Sequence, residues 1–388
     1  MNRTFPQLVI VSHVPHYTWN ASIFAYAPYA REIDVWADLF PSVTIAAPRR
    51  NAPPAKDTAA LTRSNIRLAP QPETGGTQWH RKLWQLVMLP VLVFSLSRAL
   101  WRADAVHVRC PGNLGLLGAV LAPLFSRRLV AKYAGQWTPY PGEPWSFRLQ
   151  RLVLRSRWWR GPVTVYGDWG DQPEHVVAFF TSVLSASHVA RAREAVRRPR
   201  PEGPLRVLFV GRLVRFKNVD RLLAALALAA ERGTDLVATI AGDGPERHAL
   251  EAQAARLGLS ERVSFTGGLP FEGVLDLYER HDVLVLISEG EGWPKAIAEA
   301  MAFGLIAIGS DRGLVPWLLA ERGIVVPAGD HDRLAVELEK IARSPERYRS
   351  LREAAASWAQ QHSLEGLREA LRDLLAERWN LPRETFQR

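Results

Sequence analysis

The second half of the chain alternates short apolar runs with helical patterns, and this alternation restricts the fold more than any other feature. The apolar runs are LRVLFV (205–210), LVATIA (236–241), VSFT (263–266), VLVLI (283–287) and LIAIG (305–309). Helical patterns begin near Val219, Pro245, Phe271 and Pro294. Such alternation predicts right-handed βαβ units and a parallel sheet covered on both faces. Ligands of these sheets bind outside the carboxyl ends of the strands, so a site is expected on the strand-to-helix loops.

The first half shows a looser version of the same pattern. Its predicted strands are 7–12, 43–47, 105–108, 128–133 and 163–166, and its predicted helices are 23–40, 78–101, 113–125 and 146–159. The run RRPRPEGP (197–204) breaks the periodicity and is the expected interdomain linker. We therefore expect an α/β chain of two Rossmann-like doubly wound domains, 1–200 and 201–363, facing across a cleft. The amphipathic segment 364–388 is expected to pack back on the first domain.

Length and composition limit the class of protein. The 388 residues suffice for two domains with separate cores, and a single cysteine, Cys110, excludes an intrachain disulfide and fits a reducing compartment. The apolar run near the N-terminus is too short for a signal peptide, so a cytoplasmic location is expected. Segment 83–97 is too short to span a bilayer and contains Pro90. A buried core helix is the favoured interpretation there, and a membrane-dipping segment is the alternative.

The net charge of +10 is unevenly distributed along the chain. Residues 1–200 have 25 Lys and Arg against 11 acids, whereas residues 201–388 have 24 against 28. Segment 145–162 alone carries five arginines, three tryptophans and no acid, which is typical of an interfacial helix. We expect the first half to meet an anionic membrane surface; the alternative is a surface helix with its tryptophans on the core. The candidate membrane-surface residues are Arg148, Arg151, Arg155, Trp158 and Trp159.

The stretch EGEGWPKAIAEAMAFG (289–304) places one acid before a helix and another inside it. Pro294 suits the first turn of that helix, so Glu291 lies in the preceding loop and Glu299 lies inside the helix. The N–H groups of Lys295 and Ala296 would face the site and favour an anion. A solvated helix start is the alternative. The apolar sequence after Glu299 favours a functional carboxylate.

The stretch FVGRLVRFKN (209–218) follows the first strand of the second half. Gly211 permits a tight turn, and Arg212 and Lys217 can then form a clamp for a diphosphate. A solvated basic turn is the alternative, and Arg215 is expected to be only that. The Gly-Asp-Gly turn at 242–244 is a weak partial match to a dinucleotide fingerprint.

Taken in order, these motifs resemble the retaining nucleotide-sugar glycosyltransferases of family 4, which have the GT-B fold. The resemblance covers about residues 204–330 and rests on Gly-Arg-Leu with a later Lys, on Ala-Gly-Asp-Gly-Pro and on Glu-x7-Glu with Ala-Met-Ala-x-Gly. It implies that Arg212 and Lys217 bind the donor diphosphate and that Glu291 binds hydroxyls of the transferred sugar. It further implies that Glu299 binds the ribose, that the backbone near Leu269 meets the base, and that no metal or other cofactor is needed.

The first half departs from the family pattern. The loop 12–22 lacks the glycines that many relatives have, and Arg109 stands where relatives often carry a histidine. His13, His16, His107 and Arg109 are therefore the acceptor-side candidates, and a structural role is the alternative for His13, His16 and Arg109.

The function implied by the resemblance is retaining, metal-independent transfer from a UDP- or GDP-sugar to a glycan or polyisoprenoid-linked acceptor. It would serve cell-surface polysaccharide or glycolipid biosynthesis, in the cytoplasm or on the inner face of the cytoplasmic membrane. A catalytically silent GT-B scaffold is the alternative, and a nucleotide-sugar epimerase is a further one. A nucleic-acid-binding protein fits the basic and aromatic patches, but no recognisable module is present, so no nucleic-acid partner is expected.

Overall fold

The computed structural model describes residues 7–55, 57–73, 79–140, 142–199 and 202–386, with only the backbone for 79–83 and 86. The chain divides into two compact units. The first unit consists of Met1–Val183 and Leu364–Arg388, and the second of Leu184–Ser363.

The described strands follow the chain in this order: β1 Gln7–Val11, β2 His16–Trp19, β3 Ser22–Tyr26, β4 Ser42–Arg50, β5 Thr58–Ala60, β6 Ile66–Gln71, β7 Ala105–Cys110, β8 Arg128–Tyr133, β9 Val163–Tyr166, β10 Val176–Phe179, β11 Leu205–Val210, β12 Leu236–Ala241, β13 Val263–Gly267, β14 Val283–Leu286, β15 Ile306–Ser310 and β16 Ile324–Val326.

The described α-helices are α1 Ala27–Leu39, α2 Trp79–Leu100, α3 Asn113–Phe125, α4 Trp145–Arg155, α5 Ala186–Arg197, α6 Val219–Glu231, α7 Arg247–Arg256, α8 Phe271–Arg280, α9 Lys295–Ala302, α10 Val315–Leu319, α11 His331–Arg343, α12 Arg349–Ala359 and α13 Leu364–Trp379.

The first unit is built on a parallel sheet in the order β10-β9-β8-β7-β1-β4-β6. Strand β1 shows why the sheet is covered on both faces. Val9 and Val11 pack into one apolar cluster with α2, α3 and α4, whereas Leu8 and Ile10 pack into another with α1 and α13. Because successive side chains of a strand point to opposite faces, a fully apolar strand needs helices on both sides. The strand order reverses between β1 and β7, which is the switch point of this sheet.

The segment between β1 and α1 differs from the prediction. We expected a helix from residue 23, but β2 and β3 form an antiparallel hairpin and α1 begins only at Ala27. Asn20 and Ala21 both have positive φ, 46° and 62°, which is the backbone of a two-residue hairpin turn. The short strands β5, β6 and β10 were also not predicted.

The second unit contains one parallel sheet in the order β13-β12-β11-β14-β15-β16. This is the order of a doubly wound dinucleotide-type domain, and its switch point lies between β11 and β14. The predicted runs 205–210 and 236–241 coincide with β11 and β12. Ligand-binding groups are therefore expected on the loops that follow β11 and β14.

The boundary between the units lies at 183/184, not near residue 200. Helix α5 belongs to the second unit, where Arg191 forms ion pairs with Glu272, Asp276 and Glu279 of α8. The proline- and arginine-rich run that we interpreted as a linker therefore lies within the second unit, and Arg200 and Pro201 lie outside the described residues. The break in periodicity at 197–204 is therefore not the domain boundary, because the ion pairs of α5 assign this helix to the second unit.

The C-terminal helix α13 belongs to the first unit. Its residues Leu367, Leu371 and Leu375 are buried in the same cluster as Ile33 and Trp36 of α1. These leucines repeat every four residues, which places them on one face of the helix.

Candidate functional site

The two loops at the switch point of the second unit are joined by an ion pair. Lys217 ends a 3-10 turn after β11, and its Nζ donates to Oε1 of Glu291, in the loop after β14, at 2.5 Å. The side chains are 16% and 13% exposed, so both still reach solvent. Asn218 donates from Nδ2 to the backbone oxygen of Ile287 at 2.9 Å and ties the same two loops together. Two of the predicted site residues are thus in direct contact.

Arg212 lies on the first of these loops with its side chain exposed. Among the described residues, none forms an ion pair or a hydrogen bond with its guanidinium. Its backbone, in contrast, is well held: Gly211 N donates to Ala241 O at 3.0 Å, and Leu213 N donates to Asp243 O at 2.9 Å. The backbone of the loop is therefore held in place, and the Arg212 guanidinium remains accessible to a ligand.

The Gly-Asp-Gly turn at 242–244 packs against the loop that carries Arg212. Gly242 has φ of 150°, and a Cβ there would lie 1.8 Å from the Gly211 carbonyl oxygen. A Cβ on Gly244 would lie 2.3 Å from the oxygen of Leu213. These glycines serve loop packing, which accounts for the incomplete dinucleotide fingerprint. Gly242 N also donates to Gly267 O at 2.9 Å, just before the half-buried Leu269.

The loop that carries Glu291 is held on both sides. Trp293 is 6% exposed and stacks against Trp358 with ring centroids 6.2 Å apart. On the other side, Leu314 N donates to Glu291 O at 3.0 Å. Gly313, with φ of 60°, is packed so closely that a Cβ would lie 2.4 Å from that same oxygen. Trp293 was not singled out from the sequence, although its place between Glu291 and the helix start could have signalled an anchor.

Glu299 lies in the second turn of α9 and is only 9% exposed. Its Oε2 accepts a hydrogen bond of 2.9 Å from the hydroxyl of Tyr278 in α8. Burial, and then the Glu299 carboxylate, raise the pKa of Tyr278 well above its usual range, so the hydroxyl remains a donor. Lys295 and Ala296 form the first turn of α9 and are half-buried. The sequence missed Tyr278, because its spacing after Leu275 indicates only a core-facing position.

Two of the four acceptor-side candidates are withdrawn from solvent. His16 and His107 have no exposed surface; His107 stacks on Trp36 with ring centroids 4.1 Å apart, and His16 donates from Nδ1 to Val14 O at 2.9 Å. Burial lowers the pKa of His16 to about 4 and, with the charge of Arg109, lowers that of His107 well below its usual range. Both rings are therefore neutral and out of reach of a substrate in this conformation.

Arg109 is also buried, in a network that the sequence did not predict. Its Nη1 donates to Oε1 of Glu32 at 2.5 Å, and Lys132 donates from Nζ to Oε2 of Glu32 at 2.7 Å. All three side chains are less than 10% exposed. The expectation that Arg109 faces an acceptor is wrong for this conformation, because its charge is neutralised inside the unit.

His13 is the exposed member of the four. It lies in the loop after β1, beside Gly112 in the loop after β7, where a Cβ would lie 2.5 Å from Nδ1 of His13. These are the two loops at the switch point of the first sheet. His13 is therefore the acceptor-side candidate that remains accessible.

The candidate membrane residues on α4 and directly after it divide into an exposed group and a buried group. Arg148, Arg155 and Trp158 are exposed, as expected for a surface contact. Arg151 and Trp159 are 6% and 2% exposed and point into the unit. Arg151 pairs there with Glu143, which neutralises it, so these two residues are corrected to structural roles.

A cavity of about 1030 Å³ in the second unit lies away from the switch point. It opens at the amino ends of the strands, where Arg206 and Arg352 are among its lining residues, and Arg206 is already paired with Asp282 at 2.9 Å. The candidate site is therefore not this cavity. Within the described ranges, no group of three or more His, Cys, Asp or Glu residues could hold a metal ion.

Comparison with known proteins finds similarity in the part of the chain that carries these motifs. Residues 191–358 match the family model described as glycosyl transferases group 1. The chain is 31% identical over 209 residues to alpha-D-kanosaminyltransferase of Streptomyces kanamyceticus, covering 52% of this chain and 54% of that protein. It is 28% identical over 321 residues to the GDP-mannose-dependent alpha-mannosyltransferase of Mycobacterium tuberculosis, covering 77% and 79%.

Solved structures identify the fold. The structure of Anabaena HepE in complex with UDP and glucose matches with a TM-score of 0.68 and 18% identity, covering 96% of this chain and 100% of that one. The chain thus has the GT-B fold, with two Rossmann-like units each built on a parallel sheet. The first three curated relatives are matched over 54%, 30% and 38% of their own length, so the chain spans about half of them or less.

Proposed function

We propose, from the match of residues 191–358 to the family model of glycosyl transferases group 1, that this chain is a glycosyltransferase that uses a nucleotide-sugar donor. The observation that carries the proposal is the arrangement at the switch point of the second unit. There the exposed Arg212 lies on the same loop as Lys217, and Lys217 is bound to Glu291. Cations and a carboxylate on adjacent loops match a donor with a diphosphate and sugar hydroxyls.

Arg212 and Lys217 bind the donor diphosphate in this proposal. A guanidinium contacts two phosphate oxygens at once, whereas an ammonium supplies a compact charge. Charge builds up on the diphosphate as the sugar leaves, and cations that are already in place stabilise it without reorganisation. Lys217 lies on a loop that is tied to the next strand by Asn218, which supports this role.

Glu291 accepts hydrogen bonds from hydroxyls of the transferred sugar. Because Glu291 is hydrogen-bonded to Lys217, the sugar is held next to the diphosphate. The bond between the sugar and the leaving phosphate therefore has a fixed position. Glu299 accepts from the ribose hydroxyls, with its orientation set by Tyr278. The first turn of α9, at Lys295 and Ala296, provides N–H groups towards phosphate oxygens. The backbone near Leu269 meets the base.

Transfer occurs with retention and without a metal ion in this proposal. Two side-chain cations supply the positive charge that a divalent ion supplies in other transferases, which supports metal independence. The leaving phosphate takes the proton of the acceptor hydroxyl as the new bond forms on the same face of the sugar. The donor is a UDP- or GDP-sugar.

The acceptor is a glycan or a lipid-linked sugar, and the chain acts at the inner face of the cytoplasmic membrane. The excess of basic residues in the first 200 positions supports contact with an anionic surface. The pathway would be the synthesis of cell-surface polysaccharide or glycolipid.

The test is a thermal-shift screen with UDP, GDP, ADP and their sugar conjugates, without added metal. A nucleotide at a hundred times its Kd should stabilise the wild type by about 2.7 kcal/mol. Arg212→Ala should abolish the shift, whereas Arg215→Ala, an exposed arginine three residues away, should keep it. The absence of any shift, or equal shifts in both variants, would contradict the donor site. Binding without transfer would instead indicate a silent scaffold.

A further inference from the structure

Helix α2 is apolar on two opposite faces. Leu92, Leu96 and Leu100 are buried in the core of the first unit, as expected for a core helix. The other face carries large apolar side chains that are exposed by 48–76%, and this stripe was not expected: Trp84, Val87, Val91, Phe94 and, just after the helix, Trp101. Their spacing of three or four residues, or its multiples, places them on one line along the helix. A surface helix normally presents polar side chains there.

Helices α3 and α4 extend this apolar area. Helix α3 has no charged residue over 113–125, and it exposes Val120 and Leu124. Helix α4 and the residues after it expose Trp145, Leu149, Leu152 and Trp158. Trp158 donates from Nε1 to the backbone oxygen of Val120 at 3.1 Å, which joins the two helices. Among the described residues, twelve of the eighteen exposed large apolar side chains lie on or directly after α2, α3 and α4, so they form a concentrated area. We call this area the α2–α4 surface.

Most of the charged residues in the segment that forms the α2–α4 surface are basic. Between residues 79 and 160 the chain has thirteen Lys and Arg but only two acids, Asp104 and Glu143. Glu143 is buried against Arg151, and Asp104 accepts from Gln7 N at 2.8 Å. The exposed arginines are Arg98, Arg102, Arg127, Arg148, Arg155, Arg157 and Arg160. The complementary partner therefore has an apolar interior and an anionic surface.

No helix among the described residues is long and apolar enough to cross a membrane.

We propose that the α2–α4 surface docks the first unit onto an anionic lipid bilayer. The aromatic and aliphatic side chains enter the boundary between headgroups and acyl chains, and the arginines contact lipid phosphates. The proposal rests on the proposed function and gives it a partner: the surface holds the enzyme where lipid-linked acceptors are found. An anionic bilayer fits this combination directly, because it offers an apolar interior beneath a continuous layer of negatively charged phosphates.

The contact extends beyond the segment 145–162 that the sequence singled out. The three most exposed aromatic side chains of the α2–α4 surface are Trp101, Trp145 and Phe94. Phe94 belongs to α2 and Trp101 follows it directly, so α2 contributes apolar insertion, whereas α4 and the residues after it supply four of the seven exposed arginines. The two helices are expected to respond differently to salt, because charge contacts are screened and apolar insertion is not.

The experiment is vesicle flotation of the full chain, with phosphatidylcholine vesicles that contain or lack phosphatidylglycerol. Binding is expected on the anionic vesicles, with weaker binding on the neutral ones and at high salt. Phe94→Ser should weaken partitioning by about tenfold or more, the value expected for a buried phenyl ring. Arg155→Gln should weaken it about fivefold at low salt, and by less as salt rises.

Two matched controls complete the experiment. Trp19→Ser removes an exposed tryptophan of the same unit, and Leu257→Ser removes an exposed leucine of the second unit. Both should float like the wild type. Failure of the wild type to bind anionic vesicles, or an equal loss in Phe94→Ser and Trp19→Ser, would overturn the proposal. A dimer in solution that Phe94→Ser dissociates, without vesicle binding, would overturn it in favour of a second copy as the partner.

A parallel nucleotide thermal shift on the same variants separates the two proposals. Phe94→Ser should keep the wild-type shift, because the residue lies outside the donor site. A chain that binds nucleotide but not vesicles contradicts only the docking surface. A chain that binds vesicles but no nucleotide contradicts only the proposed function.

Discussion

The two units place the same three ionisable residue types near the carboxyl ends of their strands, with different results. In the first unit, Arg109 of β7 and Lys132 of β8 both bind Glu32, and none of the three side chains is more than 9% exposed. The two cations share one carboxylate, and all three side chains are shielded from water. Such a cluster can hold the unit together, but in this conformation it is not accessible to a ligand from solvent.

In the second unit, the corresponding set is only partly satisfied. Lys217 and Glu291 bind each other at a solvent-accessible position, and no described residue pairs with the Arg212 guanidinium. Because the backbone around Arg212 is already held in place, little conformational entropy is lost when a ligand binds its guanidinium. Residue type alone therefore does not identify a functional cluster; burial and the number of unsatisfied charges do.

The largest expected effect comes from breaking the buried cluster. Glu32→Ala removes the carboxylate that two buried cations share and should lower the free energy of unfolding by about 3–5 kcal/mol in urea titrations at pH 7. Burial alone would raise the pKa of Glu32, but Arg109 and Lys132 lower it well below its usual range. The stabilisation is therefore present above about pH 4.5 and is lost as the pH falls. A variant with unchanged stability, or a loss that grows in acid, would contradict this account.

A smaller free-energy effect is expected from the solvent-accessible cluster of Arg212, Lys217 and Glu291. This effect is on activity instead of stability. Lys217→Ala should lower kcat/KM by about 100- to 1000-fold, since the proposed function places this cation at the leaving group. Its unfolding free energy should change by no more than about 1 kcal/mol, because the Glu291 carboxylate that loses its partner still reaches solvent. Arg215→Ala, in the same 3-10 turn, is the control and should retain activity. Near wild-type transfer by Lys217→Ala would remove the functional distinction between the two clusters.

The smallest effect is expected from Tyr278→Phe. The hydroxyl of Tyr278 is buried, as the first cluster is, and it binds a predicted donor-site residue, Glu299, as the second cluster would bind the donor. Loss of the hydroxyl leaves the buried Glu299 carboxylate without this donor and should lower unfolding stability by about 1–3 kcal/mol. Nucleotide affinity, measured by calorimetry, should fall as well, since Glu299 loses its fixed orientation. Tyr348→Phe is the control in the same unit, and it should change neither quantity. A stability loss without any change in affinity would make Tyr278 purely structural.

The sequence predicted the second sheet well because its signals are local. The runs that became β11 and β12 are continuous and apolar, as strands buried on both faces require, and the charged motifs follow them directly. Knowing that parallel strands end at one edge was enough to bring Lys217 and Glu291 near each other. Their actual bond depends on loop conformation, which the motifs alone do not specify.

The first unit was less predictable because its decisive contacts are between distant parts of the chain. Glu32 meets Arg109 from 77 positions away and Lys132 from 100. Those bonds exist only after α1, β7 and β8 have assembled. Arg148, Arg151 and Arg155 are three and four residues apart, so helical spacing places them on the same side of α4. Only the packing of the folded unit shows that Arg151 is buried while the other two are exposed.

The packing of the Gly-Asp-Gly turn has a consequence for the variation that this protein can tolerate. With less than the width of an atom between a Cβ at position 242 and the Gly211 oxygen, no side chain fits, however small or inert. A genetic screen for inactive variants should therefore return replacements of Gly242 and Gly244 by uncharged residues, as well as variants in which Arg212 has lost its charge. Such variants would be deficient in donor handling although every charged residue of the site is still present.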